Sequence, residues 1–482
     1  MRFRWQRGIV AALLVALLPW IGAPAAPASA APSAQLAPGG HGVRAVEQGL
    51  TFLLDRYATP LDAAALLQAG WVGLVESPAA EPLKTQLAAV GSAPISGDRP
   101  VAWAEFQQRF DRLLAAGGDP DALAQAANRA MARSLDDCHT RFAPNYEKEL
   151  ASYDGGERYG GIGASALDAY RFDPRPPGPV IVGLVEDGPA ASAGIRLGDA
   201  VIGVDDVDVK GWPNARVVEL VRGAPGSVVR LRLDRPRQAE PVVVEVERAE
   251  IQSTLLESRL LDEVLSGDGS PLVADGTVGA LGPIGYVQLK SFVRSIEPEL
   301  PKMIDELHEQ GARAWVLDLR NNGGGSVPTF AAVASLFIKD GTLGVTTDRN
   351  GSESIINTVR VGHREFAQPL AVLVNSLSAS ASELLAADLQ EYGAGRVFGE
   401  TTAGCFGNSQ LFRLPDGSAM WITVRALQSG LERRDVHKLG VTPDEIVPRS
   451  REDLAAGRDP QLEAALTWLA ASSAARDAAA QN

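Results

Sequence analysis

The sequence predicts an α/β protein with a helical N-terminal region and an inserted strand-rich region. Three observations support this prediction. Residues 43–150 repeat apolar side chains at three- and four-residue spacing, as helices do. Residues 159–250 hold short Val, Ile and Leu runs between Gly and Pro turns, as small β domains do. Residues 276–448 alternate strand-like and helix-like segments, which is typical of βαβ units.

Length and composition limit the classes of protein that fit. The chain has 482 residues, of which 45% are hydrophobic and 22% are charged, so we expect two or three packed domains. Its formal net charge is −14. Phosphate binding needs clustered Lys and Arg, so we expect no nucleic-acid partner and attribute the acidic charge to solubility.

Residues 1–30 differ from the rest of the chain. Three arginines and no acid precede an apolar run over residues 9–18, and a small-residue stretch ends in Ala28-Ser29-Ala30. This order is typical of a secretory signal, whose removal would leave a net charge of −17. The apolar run is too short to span a bilayer comfortably. We therefore predict export to the periplasm or outside the cell, without stable membrane insertion; a retained amphipathic anchor is the alternative.

The predicted organisation follows the chain in order. Asp119-Pro120 is a helix start, because proline fits the first helical position, and a helix is expected over Asn214–Val221 in the strand-rich region. In the α/β region we predict helices over Glu299–Gln310, Val327–Phe337 and Ala381–Tyr392. The boundaries are a signal peptide (1–30), a Pro/Gly/Ala linker (31–42), a helical region (43–150), a strand-rich domain (151–250), an α/β core (251–450), and a closing helix with a frayed Ala-rich tail (451–482).

A serine-rich loop, 375–383, follows the apolar run LAVLVN and opens a predicted helix. A serine at a helix N-terminus lies beside free backbone N–H groups and the positive end of the helix dipole, which favour a developing oxyanion. The alternative is an ordinary N-cap at Ser378 or Ser380.

A glycine-rich loop, 323–325, follows a second strand-like segment, AWVLDL. Glycine lets the backbone approach a ligand closely, and ligands of α/β sheets bind where strand ends meet. A nucleotide P-loop is disfavoured because no Lys-Ser/Thr pair follows the glycines. The two loops together predict one site.

Several blocks in the same order resemble a known family. DLRNNGGG, VNSLSASASELLAADLQEYGAGRVFGETTAG and HKLGVTPDEIV resemble the signature blocks of the carboxy-terminal processing (tail-specific) serine peptidases and their tricorn-core relatives. Residues 159–250 resemble the PDZ domain of that family. The resemblance implies a crotonase-like (ClpP/crotonase-type) βαβ protease core with an inserted PDZ domain, and no metal or cofactor.

The resemblance assigns roles to individual residues. Ser380, the middle serine of SASASE, would be the nucleophile, and the backbone N–H groups of Ala381 and of a glycine in the 323–325 run, Gly324 above all, would bind the oxyanion. The PDZ loop would capture the C-terminal carboxylate or extended tail of a protein or peptide substrate; its residues are Gly160, Gly161, Ile162 and Gly163. A homo-oligomer is also compatible with the resemblance.

The general base departs from the best-known members of the family. They carry a lysine 25 positions after the nucleophile, where this chain has Cys405. The resemblance to the D-x-H-T segment of the tricorn-like branch makes His139 the predicted base, since a neutral imidazole suits base work at neutral pH. His437 stands where that branch has its supporting glutamate. Glu432 is the predicted acid, and Asp435, Glu383 and Glu400 are the other carboxylates near the site in sequence. A displaced amine base, Lys438, and a His139 that only orders its loop are the alternatives.

The chain has two cysteines, too few for a disulfide-stapled scaffold or a zinc site built on cysteine. Cys138 adjoins the predicted base, and Cys405 takes the position of the missing lysine. One hypothesis is a disulfide that fixes the His139 loop near Ser380. The other is two unrelated buried thiols.

These observations predict an exported serine endopeptidase that captures substrate tails through its PDZ domain. Two other functions stay open. The missing lysine and the histidine at position 437 are compatible with a catalytically silent PDZ scaffold on a peptidase fold. An acyl-CoA enzyme shares the crotonase-like βαβ units, although SASASE with a PDZ domain is typical of peptidases.

Overall fold

The structure is a computed structural model that describes residues 40–90, 93–154, 158–185, 187–252, 255–261, 282–360 and 369–480. The predicted signal peptide lies outside the described residues. The predicted linker does so up to residue 39, and its last three residues already belong to the first helix.

The helices of the described residues occur throughout the chain. Their starts follow local chemistry: at the predicted start, the Asp119 carboxylate accepts the N–H groups of Asp121 and Ala122 at 3.0 Å, and Pro120 is the first helical residue. The bounds are α1 Gly40–Arg56, α2 Ala63–Val75, α3 Lys84–Val90, α4 Arg99–Ala115, α5 Pro120–Arg133, α6 Tyr146–Asp154, α7 Pro189–Ser192, α8 Asn214–Val221, α9 Glu299–Glu309, α10 Val327–Phe337, α11 Ala381–Glu391, α12 Arg451–Ala455 and α13 Pro460–Ala480, with 3-10 turns at Pro78–Leu83, Ala169–Arg171 and Arg294–Ile296.

The strands form four sheets within the described residues. The bounds are β1 Arg141–Ala143, β2 Arg158–Gly161, β3 Ala164–Leu167, β4 Val180–Leu184, β5 Ala200–Val204, β6 Val207–Asp208, β7 Val228–Asp234, β8 Val242–Glu247, β9 Ala249–Gln252, β10 Leu256–Leu261, β11 Ile284–Leu289, β12 Ala314–Asp318, β13 Thr342–Asp348, β14 Glu353–Asn357, β15 Leu370–Val374, β16 Arg396–Gly399, β17 Asn408–Arg413, β18 Ala419–Gln428 and β19 Glu445–Ile446.

The central sheet has the order β10-β11-β12-β15-β16-β19 and is parallel except for its edge strand β10. Strands β12 and β15 are buried along their whole length, as strands covered on both faces must be. Alternate side chains point to opposite faces. Trp315 and Leu317 pack with helices α9, α10 and α11, whereas Ala314 and Val316 pack with α13.

Two further units pack around this sheet. Helices α1, α2, α4 and α5 share a core with β17 and β18 of an antiparallel sheet, which has the order β1-β18-β13-β14 with β17 on β18. The strand-rich unit is an antiparallel sheet of the order β3-β4-β5-β7-β8, with β6 on β5, and its core includes Ala190 of α7 and Val217 of α8. The pair β2–β9 flanks this unit.

The helices predicted around the site are confirmed within one residue. Those over Asn214–Val221 and Val327–Phe337 have the predicted bounds, and the other two end one residue earlier than expected. The frayed tail is wrong at the backbone level, because α13 continues to Ala480; alanine is the strongest helix former. None of the described helices combines the length and apolar character needed to cross a bilayer.

Candidate active site

Ser380 is the residue immediately before α11, at the end of the loop that follows β15. Its φ of +55° lies in the left-handed region, which non-glycine residues seldom adopt. Such backbone conformations cluster at functional sites, where the surrounding structure holds them. The side chain is partly exposed. Ser380 therefore presents its hydroxyl at a helix N-terminus, as the sequence predicts.

The other two serines of SASASE are buried and structural. Ser378 Oγ donates a hydrogen bond to the carbonyl of Leu319 at 2.8 Å, and Ser382 Oγ donates to the carbonyl of Asn322 at 2.9 Å. Both acceptors belong to the loop after β12. The two outer serines thus join the serine loop to the glycine loop and leave Ser380 as the accessible hydroxyl of the three.

Gly324 lies directly against Ser380. A Cβ atom on Gly324 would be 2.7 Å from Ser380 Cβ and 2.8 Å from the carbonyl oxygen of Ala379, and the φ of +94° also favours glycine. Its N–H donates to Asn322 Oδ1 at 2.8 Å, so it is not free to bind an oxyanion in this structure. Gly324 provides the close approach, whereas Ala381 N–H, at the first helical position, has no acceptor within the described residues.

Glu383 organises the loop around the nucleophile. Its carboxylate is fully buried and accepts the N–H of Ser380 at 2.9 Å and the hydroxyl of Thr402 at 2.6 Å. It also accepts the N–H groups of Gly404 at 2.7 Å and Cys405 at 2.9 Å. Burial raises the pKa of Glu383, and these hydrogen bonds oppose the rise. The signal for this role was the S-x-x-E spacing of Ser380 and Glu383, which is that of a helix capping box.

Cys405 connects Ser380 with the predicted base. Its carbonyl accepts the N–H of Ser380 at 2.9 Å. Its sulfur forms a disulfide with Cys138, 267 residues away in sequence, with the two Cα atoms 5.8 Å apart. The Nδ1 atom of His139 lies 3.4 Å from each sulfur. The position of the family's lysine is therefore filled by a disulfide-bonded cysteine whose carbonyl bonds to Ser380 N–H and whose sulfur contacts the imidazole.

The surroundings of His139 favour its neutral form. Burial lowers its pKa below the usual value of 6.5, and electrostatic interaction with His437 and Arg141 lowers it further. The carboxylate of Asp137 opposes this shift. A neutral imidazole retains the lone pair that a general base needs at neutral pH.

Asp137 is a site residue that the sequence reasoning did not assign. It is buried, and its carboxylate accepts the backbone N–H of His139 at 3.0 Å and the hydroxyl of Thr140 at 2.7 Å. Burial alone would raise the pKa of Asp137, but hydrogen bonds from Thr423, Thr140 and the His139 N–H lower it. Asp137 therefore holds the His139 loop and contributes a negative charge beside the ring without bonding to a ring nitrogen.

The structure does not bring Glu432 to the imidazole. Glu432 is exposed, its N–H donates to a Glu391 carboxylate oxygen at 2.9 Å, and its own carboxylate lies 3.9 Å from Arg434. The expectation of Glu432 as the supporting acid is corrected, because its turn bonds to α11 on the exposed side. The Lys438 amine pairs with Asp136 at 2.9 Å and is half-exposed, which leaves no support for a displaced amine base.

The PDZ loop combines strand pairing with a turn. Gly160 and Gly161 belong to β2 and pair with β9, Ile162 is buried, and Gly163 has a φ of +71°. A Cβ on Gly160 would come within 1.9 Å of the Gly223 carbonyl oxygen. The next strand, β3, pairs only with β4 among the described strands, so its second edge is open.

A cavity of about 930 Å³ lies between the strand-rich unit and the central sheet. Its wall includes Gly163 and residues of β3 and β4 on one side, and residues of β10 and β11 on the other. It reaches Asn321, in the loop after β12, and Asn375, the first residue of the serine loop. Five basic and two acidic side chains contribute to its wall: Arg171, Arg259, Lys290, Arg320 and Arg449, with Glu257 and Glu400.

Comparisons with known proteins agree with this arrangement. A model of peptidase family S41 matches residues 283–447, and a PDZ domain model matches residues 180–235. The chain is 32% identical over 325 residues to carboxyl-terminal-processing peptidase 2 of Arabidopsis thaliana. The aligned region covers 67% of this chain and 60% of that protein. It is 33% identical to a carboxyl-terminal-processing protease of Picosynechococcus over 58% of this chain and 64% of that protein. The chain thus spans about three fifths of the length of these relatives.

The solved structures include one with the same architecture over almost its full length. The photosystem II D1 C-terminal processing protease superposes with a TM-score of 0.55 at 26% sequence identity, covering 89% of this chain and 97% of the other. The predicted α/β fold class with an inserted PDZ domain is confirmed.

Proposed function

Because the chain belongs to peptidase family S41, the carboxyl-terminal processing serine peptidases with a PDZ domain, we propose that it is an exported endopeptidase acting on protein tails through Ser380 and His139. The observation that carries the proposal is the environment of Ser380. Of the three serines of SASASE it is the partly exposed one, and it has a positive φ and lies against Gly324. Its N–H donates to the carbonyl of Cys405, and the sulfur of Cys405 contacts His139.

The proposed reaction is acyl transfer. Ser380 Oγ attacks the peptide carbonyl while His139 accepts its proton, and the oxyanion forms beside the N–H of Ala381 and the start of α11. His139 then protonates the leaving amine, and water hydrolyses the acyl-enzyme with His139 again as the base. The second oxyanion donor is a backbone N–H of the 323–325 run. It is either that of Gly323, or that of Gly324 once its hydrogen bond to Asn322 breaks.

The proposed substrate is the carboxyl-terminal tail of a protein. An extended tail would add to the open edge of β3, as peptides do on PDZ domains, and pass along the cavity towards the serine loop. Lys290 is paired with Glu257, and Arg320 is paired with Asp318 and Asp459. The remaining basic side chains of the cavity wall, Arg171, Arg259 and Arg449, outnumber Glu400 and favour a negatively charged chain end. Export is supported by the pattern of residues 1–30 and by the disulfide, which persists in oxidising compartments.

The acid limb of kcat/KM should lie below pH 6.5, because the free enzyme needs a neutral His139 and burial lowers its pKa from that value. Asp137→Asn removes the charge that raises this pKa, so the limb should move to still lower pH. Initial rates on an unfolded protein substrate, measured as a function of pH, give the acid limb of the wild type and that of Asp137→Asn. An alkaline limb, insensitive to Asp137→Asn, would indicate an amine base instead.

Covalent labelling tests the proposal against a silent PDZ scaffold. A fluorophosphonate probe should label the oxidised protein at Ser380, as mass spectrometry of the modified peptide would show, and the protein should degrade unfolded casein. Ser380→Ala should abolish both. Ser376→Ala is the matched control, since Ser376 is a partly exposed hydroxyl of the same loop, and it should keep both. If the probe does not label the folded wild type, the peptidase function is contradicted and the silent PDZ scaffold remains.

A further inference from the structure

Three metal-binding side chains meet at the bridge beside Ser380. One donor atom each from Cys138, His139 and Cys405 lies within 4.8 Å of the other two. The sequence argued against a cysteine-based zinc site because two thiols are too few, but the fold adds an imidazole from the same loop. Cys138 is exposed and the other two residues are partly exposed, so a reductant and a metal ion can reach them.

We propose that reduction of the Cys138–Cys405 disulfide creates a Zn²⁺ site made of both thiolates and the His139 imidazole, and that the bound metal switches off the peptidase. The switching part rests on the proposed function of His139. A dithiol supplies two electrons and two protons to the disulfide, giving two Cys thiols and the oxidised, disulfide form of the dithiol. Zn²⁺ then displaces the two thiol protons and accepts lone pairs from both thiolates and from one imidazole nitrogen.

The geometry fits zinc at the imidazole. With Zn–S near 2.3 Å and Zn–N near 2.0 Å, a tetrahedral ion holds nitrogen and sulfur about 3.5 Å apart. Nδ1 of His139 already lies 3.4 Å from each of the two sulfurs. Opening the bridge therefore requires movement of the sulfurs relative to each other and little movement of the ring.

The charges and the chemistry also agree. Two thiolates and a neutral imidazole around Zn²⁺ give a complex of zero net charge, which suits a partly buried position. A neutral imidazole has a single free lone pair. Once the metal takes that pair, the other ring nitrogen carries the proton, and His139 can no longer accept the proton of Ser380. Fourfold coordination leaves one position for water.

Cobalt binding tests the site without relying on activity. The full protein is reduced with a phosphine, separated from it without oxygen, and titrated with Co²⁺. A stoichiometric thiolate-to-cobalt charge-transfer band is expected for the reduced protein and none for the oxidised one. The chain has no other cysteine, so any such band comes from this pair. Reduced wild type without the band would overturn the proposal.

Variants separate the ligands from the fold. The double variant Cys138→Ser/Cys405→Ser should show no band, and His139→Ala should weaken Co²⁺ binding at least about tenfold. Unchanged affinity in His139→Ala would overturn the role of the imidazole. Ser380→Ala should keep the full band, because Ser380 is not a ligand. This control shows that an inactive protein still binds the metal. Circular dichroism of each reduced variant confirms that it is folded.

Inhibition is then measured with casein. Zn²⁺ should slow the reduced wild type at least about tenfold, a chelator should reverse the loss, and the same Zn²⁺ concentration should spare the oxidised protein. Equal turnover by the reduced protein with and without bound Zn²⁺ would contradict the switch. If the oxidised wild type cleaves nothing, the proposed peptidase function fails, whereas the cobalt spectra still decide the metal site.

Discussion

Replacing Ser380 by alanine is expected to lower kcat about 10⁴-fold or more, and His139→Ala should cause a loss of similar size. The two groups act as one unit, because the hydroxyl attacks only as the imidazole takes its proton. The double variant should therefore be no slower than the worse single variant. Turnover of unfolded casein by oxidised, folded protein measures all three.

Controls distinguish catalysis from folding in this series. Ser376→Ala should stay within a few-fold of wild type, and thermal unfolding should show that both alanine variants keep the fold. His139→Ala with near-normal turnover would contradict the base assignment. Additive losses in the double variant would mean that Ser380 and His139 act in separate steps.

Replacing the buried Arg320 by methionine is expected to destabilise the protein by about 3–5 kcal/mol, because it leaves buried carboxylates without their cation. Arg320 is 8% exposed and contacts Asp318 at 2.6 Å and Asp459 at 2.8 Å. Asp318 also accepts the hydroxyl of Tyr286 at 2.7 Å. This cluster ties the end of β12, and thus the glycine loop, to the start of α13.

Urea unfolding at neutral pH measures the loss. Arg230→Met is the matched control, since Arg230 pairs with Asp206 at 2.6 Å on the surface, where an ion pair contributes about 0–1 kcal/mol. Casein turnover of the folded Arg320→Met protein should also fall, because Gly324 loses its support beside Ser380. A destabilisation no larger than that of Arg230→Met would show that the cluster does not hold the loop.

The family and the fold class could be predicted because their signals are local. The buried segments of β12 and β15 are apolar except for Asp318, and a glycine-rich or serine-rich loop lies shortly after each. The glycines and the S-x-x-E spacing are likewise readable within a few residues. Such patterns depend on backbone sterics and on the period of side-chain burial, which neighbouring residues fix.

Contacts between distant segments could not be predicted in this way. No local pattern shows that the Ser382 hydroxyl donates to the carbonyl of Asn322, 60 residues away, or that the Glu383 carboxylate accepts the N–H of Cys405, 22 residues away. The choice of Glu432 failed for the same reason: its closeness to the site in sequence said nothing about the side of α11 on which its turn packs.

The sequence by itself determined the α/β core, the inserted PDZ domain, the serine at the helix start and the absence of a lysine at position 405. Only the tertiary structure decided which of three serines is open, and that the two cysteines meet beside His139. The physical reason is that hydrophobic periodicity sets each element separately. The atoms around Ser380 come from loops tens to hundreds of residues away in the sequence, and only the packing of the whole chain brings them together.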